Sequence, residues 1–449
     1  GGRLLRSETL VAPDTMSTGP IALADVDGDG DLDLFLGGRV LPGAYPVPPN
    51  SHLFINDQGR FSRSERNEAV FHQIGLVSAA VFTDINDDGQ PDLALAIEWG
   101  PVRIFLNDKG SFSEVTGAWG MTRLEGGWKG VGAGDFDGDG RMDLVATNWG
   151  RNVRFPADTA SPLYMYVGNF GPSADVSLLF GKFDPRINAI APVASFSRLA
   201  WAMTDLRTRL PSFAQYADAS VEQVIGEPFR RSVRIQLTTV DHTIFLNRGG
   251  HFEAVTLPAE AQEAPAFAAV PADFDGDGRE DLFLGQNFSQ TEVGSPRFDA
   301  GRGILLLGDG RGGFTPMPGQ RSGIRIYGDQ RGAAASDYDG DGRIDLAVAQ
   351  NGAEVKLLHN TGAAPGLRVR LVGGPGNPGA VGARIRVRYA DGDGPVREIH
   401  AGSNYWSEDG FEQVFSLKRT PLAVLVKWPG GAATEARVLP GQKVVVMMP

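Results

Sequence analysis

Five nine-residue segments of this chain share one pattern, D-x-[DN]-x-D-G-x-x-D. They are Asp25–Asp33, Asp84–Asp92, Asp135–Asp143, Asp273–Asp281 and Asp337–Asp345. A small, apolar run precedes each one, and an alternating segment follows it: Leu34-Phe-Leu, Leu93-Ala-Leu, Leu144-Val-Ala, Leu282-Phe-Leu and Leu346-Ala-Val. A turn bracketed by period-two apolar runs is a β-hairpin. A third strand recurs as Leu53-Phe-Ile-Asn56, Ile104-Phe-Leu-Asn107, Ile244-Phe-Leu-Asn247 and Leu305-Leu-Leu-Gly308. A Gly turn and a Phe opening a fourth strand come next (Phe61, Phe112, Phe252, Phe314). Four short antiparallel strands per repeat make a propeller blade, so the expected fold is an all-β, seven-bladed β-propeller. The count comes from the spacing. Successive loops start 59, 51, 138 and 64 residues apart, and the long interval has room for two more blades, with six or eight in total left open. Within it lie Val167–Asp175, a shortened relic of the loop, and the strand candidates Val233–Leu237 and Thr243–Asn247.

Residues 195–227 mix Leu, Ala, Met and Phe at helical spacing and predict a helical insertion, with Ser220 capping the turn that holds Glu222. The expected organisation is a propeller over residues 1–360 and a small C-terminal β-domain over residues 366–449.

The loops predict a hard divalent cation. Calcium takes six to eight oxygens, and alternate residues of a tight loop can supply them together. The expected ligand positions are Asp25, Asp27, Asp29, Asp31 and Asp33; Asp84, Asn86, Asp88, Gln90 and Asp92; Asp135, Asp137, Asp139, Arg141 and Asp143; Asp273, Asp275, Asp277, Arg279 and Asp281; and Asp337, Asp339, Asp341, Arg343 and Asp345. Position seven (Asp31, Gln90, Arg141, Arg279, Arg343) contributes its backbone carbonyl, with the side chain expected in solvent. Strands rather than helices flank the loops, and no twelfth-position Glu follows, so these are not EF-hands. About five Ca²⁺ ions, in structural roles, would offset most of the formal charge of −12, since the loops hold 22 of the 54 carboxylates.

That acidity argues against nucleic acid as a partner, which needs a basic face. The chain has no Cys, and its longest uncharged apolar run, Ile74–Phe82, is too short to span a membrane. It begins Gly1-Gly2 without Met, as expected of a processed or trimmed chain whose signal peptide is removed or left out.

The loops and flanks resemble the FG-GAP or VCBS repeats of integrin-α-type propellers. The tail segments Gly382–Arg388, Arg397–Tyr405 and Val426–Gly431 are similar to the ASPIC/UnbV domain, which follows such repeats in bacterial members of the cartilage acidic protein 1 family. The resemblance implies a secreted, periplasmic or cell-surface calcium-binding protein linked to adhesion or assembly. Its expected partners are a protein or glycan at the cell surface, within a larger surface assembly.

Propellers bind ligands where loops of several blades meet at the central opening. About 14 residues past successive loop starts stand Glu98-Trp99, Asn148-Trp149 with Arg151-Asn152, Asn287 and Asn351; Glu125 and Trp128 precede the third loop. These are the candidate ligand residues. The same opening is where the alternative reading, a lyase- or dehydratase-like calcium-propeller enzyme, would place its chemistry. The six His are scattered and read as surface or turn residues, Trp406 and Trp428 as core, and Arg384, Arg386 and Arg388 as a solvated strand edge. If the loops hold calcium, chelation lowers the melting temperature, each site saturated at a hundred times its Kd losing about 2.7 kcal/mol. An unchanged melting curve in EGTA would show that the loops are plain turns.

Overall fold

The structure is a computed structural model and describes residues 16–170, 176–291 and 295–449. Five antiparallel meanders carry the Asp loops. The first comprises Ser17–Ala24, Asp33–Val40, His52–Asp57 and Arg60–Arg63; the second Leu76–Thr83, Asp92–Gly100, Arg103–Asp108 and Ser111–Glu114. The third comprises Val131–Gly134, Asp143–Ala146, Thr243–Asn247 and Phe252–Thr256; the fourth Ala266–Ala272, Asp281–Gln286, Ile304–Gly308 and Phe314–Met317. The fifth has three strands, Asp329–Ser336, Asp345–Asn351 and Ala353–Leu358. The first strands of successive sheets lie beside one another, a propeller-like array.

All five hairpins close in one register: Ala24 pairs Asp33, Thr83 pairs Asp92, Gly134 pairs Asp143, Ala272 pairs Asp281 and Ser336 pairs Asp345. The last aspartate of each loop sets that register. One oxygen accepts the amide of position two, from Val26 (2.8 Å), Ile85 (3.0 Å), Phe136 (2.9 Å), Phe274 (2.9 Å) and Tyr338 (3.3 Å). The other accepts an amide of the third strand or the residues just after the sheet, from Asn56, Asn107, Asn247, Gly308 and Asn360, at 2.7–2.9 Å. One carboxylate thus ties three backbone segments.

The recurrent Asn then joins neighbouring sheets. Asn107 Nδ2 donates to the Val26 carbonyl of the first loop (2.9 Å), Asn247 to Ile85 of the second (2.7 Å), and Asn360 to Phe274 of the fourth (2.8 Å). Where Gly308 replaces Asn, the Gly312 amide takes the equivalent Phe136 carbonyl at 3.1 Å. Between these clamps the sheets bury aromatic cores. Phe35, Phe71, Phe82, Phe105 and Phe112 lie between the first and second sheets; Trp119, Trp128, Phe245 and Phe252 lie between the second and third.

The described residues before 360 form six sheets, not seven. Val233–Leu237 and Thr243–Asn247 belong to different sheets. The latter is the third strand of the third meander, and the former pairs with Leu163–Gly168 in an inserted sheet that also holds Ser177–Asp184 and Ala189–Pro192. The extra chain enters between two strands of a single meander, which loop-closure entropy tolerates because its cost grows only logarithmically with length. The Asn247 clamp rejoins the strand to its sheet. Helices Phe196–Ala202, Leu206–Arg209, Phe213–Ala217 and Val221–Ile225 complete the insert around Tyr166, Leu179, Leu206 and Val224. Ser195, Ser212 and Ser220 each cap a helix by accepting an amide, and Ser220 forms a capping box with Gln223. The relic Val167–Asp175 lies partly outside the described residues.

In the C-terminal region, Leu367–Leu371 runs between Gln413–Phe415 and Val444–Met447, and Arg384–Tyr389 pairs with Pro421–Lys427. Trp428 is buried in its core, as read from the sequence. His242 departs from the surface reading. It is fully buried, accepting the Asn148 amide on Nδ1 (2.8 Å), with Nε2 3.0 Å from the Ala264 carbonyl, and burial lowers its pKa to about 4. His52 is buried too.

Asn247→Ala strands the buried Ile85 and Met142 carbonyls and is expected to cost about 2–4 kcal/mol, read as a lower denaturant midpoint at unchanged m. A variant as stable as the parent would remove the clamp.

Candidate functional site

Within each loop, aspartates accept amides from residues further along. Asp25 takes Gly28 (2.8 Å) and Gly30 (3.0 Å), Asp29 takes Asp31 (2.9 Å), and Asp273 takes Gly278 (2.8 Å). This curls the carboxylates inward. Oxygens come within 4.8 Å of one another in the trios Asp25–Asp27–Asp29, Asp135–Asp137–Asp143, Asp273–Asp275–Asp281 and Asp337–Asp339–Asp341, and a His359 ring nitrogen comes as close to oxygens of Asp339 and Asp345. In the second loop Asn86 stands where the others have Asp, and Asp87 takes φ +60° where they have Gly.

Two observations fit these residues to a hard cation. Asp84 Oδ1 and Asp135 Oδ1 are buried without a hydrogen-bond donor, an arrangement that a carboxylate tolerates poorly unless a cation meets it. Burial, reinforced by neighbouring carboxylates, pushes Asp33 up to about 7 and Asp92, Asp143 and Asp281 up to about 8. A bound divalent ion would favour their ionised forms. Position-seven side chains are not simply solvated. Asp31 Oδ2 accepts the Gln58 amide (2.7 Å), Gln90 Oε1 accepts that of Lys109 (2.6 Å), and Arg141 and Arg343 donate to the carbonyls of Asn247 (2.9 Å) and Ala363 (2.6 Å). They tie the loop to the end of the third strand or to the chain just beyond it, which a short reach from position seven allows. Arg279 pairs with Asp277.

The C-terminal domain sits on all five loops, mostly at position one. Arg384 Nη1 binds Asp84 (3.0 Å) and Asp87 while its Nη2 donates to the Gly140 carbonyl (2.9 Å), and Lys427 joins at Asp87 (3.1 Å). The Val396 amide donates to Asp135 (2.9 Å). Arg397 binds Glu280 at 2.6 Å and lies 4.0 Å from Asp273; Arg368 lies 3.1 Å from Asp337. At the first loop a Cβ on Gly376 would fall 1.9 Å from Asp31 Oδ1, so only glycine permits that approach. Arg384 is therefore not a solvated strand edge: it is 6 % exposed, because acidic loops cover its strand face. Arg386 also packs against Gly140, and Arg388 alone stays half-exposed, pairing with Asp393.

From this domain, residues 401–410 meet the first strand of each of the five loop-bearing sheets. Leu23 N donates to Ala401 O (2.8 Å); Asn404 exchanges backbone bonds with Val131; Trp406 Nε1 donates to Ser78 O (3.0 Å). Tyr405 packs on Phe267 with ring centres 5.0 Å apart, and Ala335 N donates to Asp409 (2.7 Å). The chain's own segment thus covers the first strands of the five loop-bearing sheets.

The candidate ligand residues lie at the strand ends away from the loops, and only some converge. Glu98 binds Lys129 (3.3 Å) and Arg39; Lys129 Nζ lies 4.5 Å over the Trp149 ring. Despite burial, those two cations hold Glu98 down to about 2. The pair supplies fixed charge, not a carboxyl poised near neutrality. Trp99 donates to Tyr45 (2.7 Å) and stacks on Phe180 of the inserted sheet. Trp128 is wholly core, Asn148 and Asn287 are buried and spend their amides on backbone, and Glu125 accepts from Gln236 (2.6 Å). Arg151 is bidentate to Asp241, while Asn152 and Asn351 are exposed apart from the cluster. The sequence reading of that face left out Arg39, Arg331 and Tyr405. Arg331 lies 4.0 Å over Phe267, and no repeat spacing ties these three to the loops.

The FG-GAP-like repeat family matches residues 25–95 and 84–146, and the ASPIC and UnbV family matches residues 373–448. No curated protein sequence matches the chain. Among solved structures, the chain is similar to the rhamnogalacturonan lyase YesW (11% identity, TM-score 0.33, covering 96% of this chain and 72% of that one). It is also similar to a Bacillus licheniformis rhamnogalacturonan lyase (11%, TM-score 0.31, 96% and 72%). The V. cholerae biofilm matrix protein Bap1 follows (10%, TM-score 0.25, 95% and 60%).

Arg397→Ala leaves Glu280 buried and unpaired. It is expected to destabilise by about 3–5 kcal/mol and to raise amide exchange across residues 396–415 and the fourth loop together. Exchange confined to one side would mean that the ion pair does not couple them.

Proposed function

Because the chain joins FG-GAP-like repeats to a C-terminal ASPIC and UnbV domain, we propose that it is an extracellular or cell-envelope calcium-binding module. In this reading it binds a protein or glycan in adhesion or assembly. The observation that carries the reading is the cover on the loops. Arg368, Arg384, Val396 and Arg397 meet the position-one aspartates or their neighbours, so the metal-loop face is turned inward and the opposite face is left for a partner. The ions would be held by the aspartates of each nine-residue loop, with Asn86 in the second. When bound, calcium supplies the positive charge that lets four or five carboxylates share one turn. The chain's own residues do the rest: the position-nine aspartates hold register, and the Glu98–Lys129–Arg39 cluster presents fixed charge. Among the described residues no helix is long and apolar enough to cross a membrane.

The test is co-sedimentation of the purified chain with cell-envelope material. Binding is expected with calcium present, to be lost in EGTA, and to be weakened by Arg151→Glu on the open face but not by Arg388→Glu on the C-terminal domain. Calcium-independent binding, or equal loss in both variants, would sink the reading.

A further inference from the structure

The axial segment ends its passage in an aromatic tip. Tyr405 and Trp406 stack with ring centres 5.0 Å apart and planes within 5°. Trp406 is 54 % exposed, although its indole N–H is already satisfied by Ser78, so what it offers outward is a flat π face. Asn404 (φ +56°) and Trp406 (φ +53°) both adopt the left-handed conformation that non-glycine residues avoid. Such strain persists only where the surroundings impose it, here the Asn404–Val131 pairing and the Ser78 bond.

Charged groups surround this tip. Tyr405 packs on Phe267, and Arg331 lies 4.0 Å over that ring and 5.5 Å over Phe288; Phe288 meets Trp149, which carries Lys129 Nζ at 4.5 Å, and Lys129 shares Glu98 with Arg39. Arg331 is pinned by the Asn287 carbonyl (3.0 Å) and lies 3.6 Å from Asp329. Arg39, Lys129 and Arg331 pair with two carboxylates, Glu98 and Asp329, which leaves this cluster one positive charge in a chain that is otherwise acidic.

Resting on the binding-module reading above, we propose that Trp406, backed by Tyr405 and flanked by Arg39, Lys129 and Arg331, is the binding site for a carboxylate-bearing sugar unit of a polysaccharide. A pyranose lays its C–H face on a flat ring, and a stacked pair makes a platform for it. The cations select the acidic sugar over a neutral one. The site is composite: the platform comes from the C-terminal domain and the positive charge from the first and fifth sheets and from Lys129, just before the third.

Calorimetric titration of the full chain, with calcium present, compares trigalacturonate with maltotriose. The acidic trimer is expected to bind more tightly. Trp406→Ala is expected to weaken it about tenfold, and Trp406→Phe, which loses the Ser78 bond but keeps a ring, by less than about threefold. Arg331→Gln is expected to narrow the margin over maltotriose. Equal affinities for the two sugars in the parent chain, or a Trp406→Ala variant that binds trigalacturonate normally, would overturn the proposal. If trigalacturonate fails to bind while envelope co-sedimentation persists, the sugar site is wrong and the module reading stands; if neither binds, both fall.

Discussion

One carboxylate per sheet organises this array. The last aspartate of each loop is almost fully buried, accepts an amide from the loop's second residue and another from the third-strand region, and so fixes hairpin, strand pairing and loop shape together. Burying a charge in this way is unfavourable unless hydrogen bonds and a countercharge meet it. The amides supply the first. The second comes from what fits among the remaining carboxylates, and from the arginines of the C-terminal domain lying against the position-one aspartates. The repeated Asn carries the same order from sheet to sheet, because at Asn107, Asn247 and Asn360 its side chain reaches the preceding loop and, at Gly308, a backbone amide does so instead.

The C-terminal domain is better understood as part of the array than as an appendage. It contributes basic side chains to the acidic loops and runs residues 401–410 along the first strands of the five loop-bearing sheets, so its chemistry appears at both ends of those strands. Partial covering of buried aspartates by Arg384 and Arg397 is favourable because each guanidinium has several donors in a rigid fork and can serve two sheets at once, as Arg384 does at Asp84 and Gly140.

The repeat was legible because its signal is local: nine residues with flanking period-two runs define a hairpin whatever lies elsewhere. The helical stretch was legible for the same reason, with Ser220 marking a start. The blade count was not, since strands Asp143–Ala146 and Thr243–Asn247 pair across a hundred-residue insert, and nothing in the sequence between them announces that they are partners. Arg384 looked like a solvated edge because alternation of Arg and apolar residues reads the same whether water or an acidic loop covers the polar face. Trp406 looked like core because exposed Trp is uncommon; only the third dimension reveals that its N–H is spent on Ser78 and its face left over. The loops announced their chemistry, while the aromatic and cationic face arises from residues as far apart as Arg39 and Trp406.

The order of synthesis gives the axial segment a further meaning. Ribosomes deliver the five sheets before residues 401–410 exist, so the first strands must assemble around a centre whose filling arrives last. Ser78, Val131 and Ala335 each wait for a backbone or side-chain partner encoded some 75 to 330 residues later. The finished protein is therefore locked from its own tail, and a chain cut short before that tail would lack both the axle and the cover over its acidic loops.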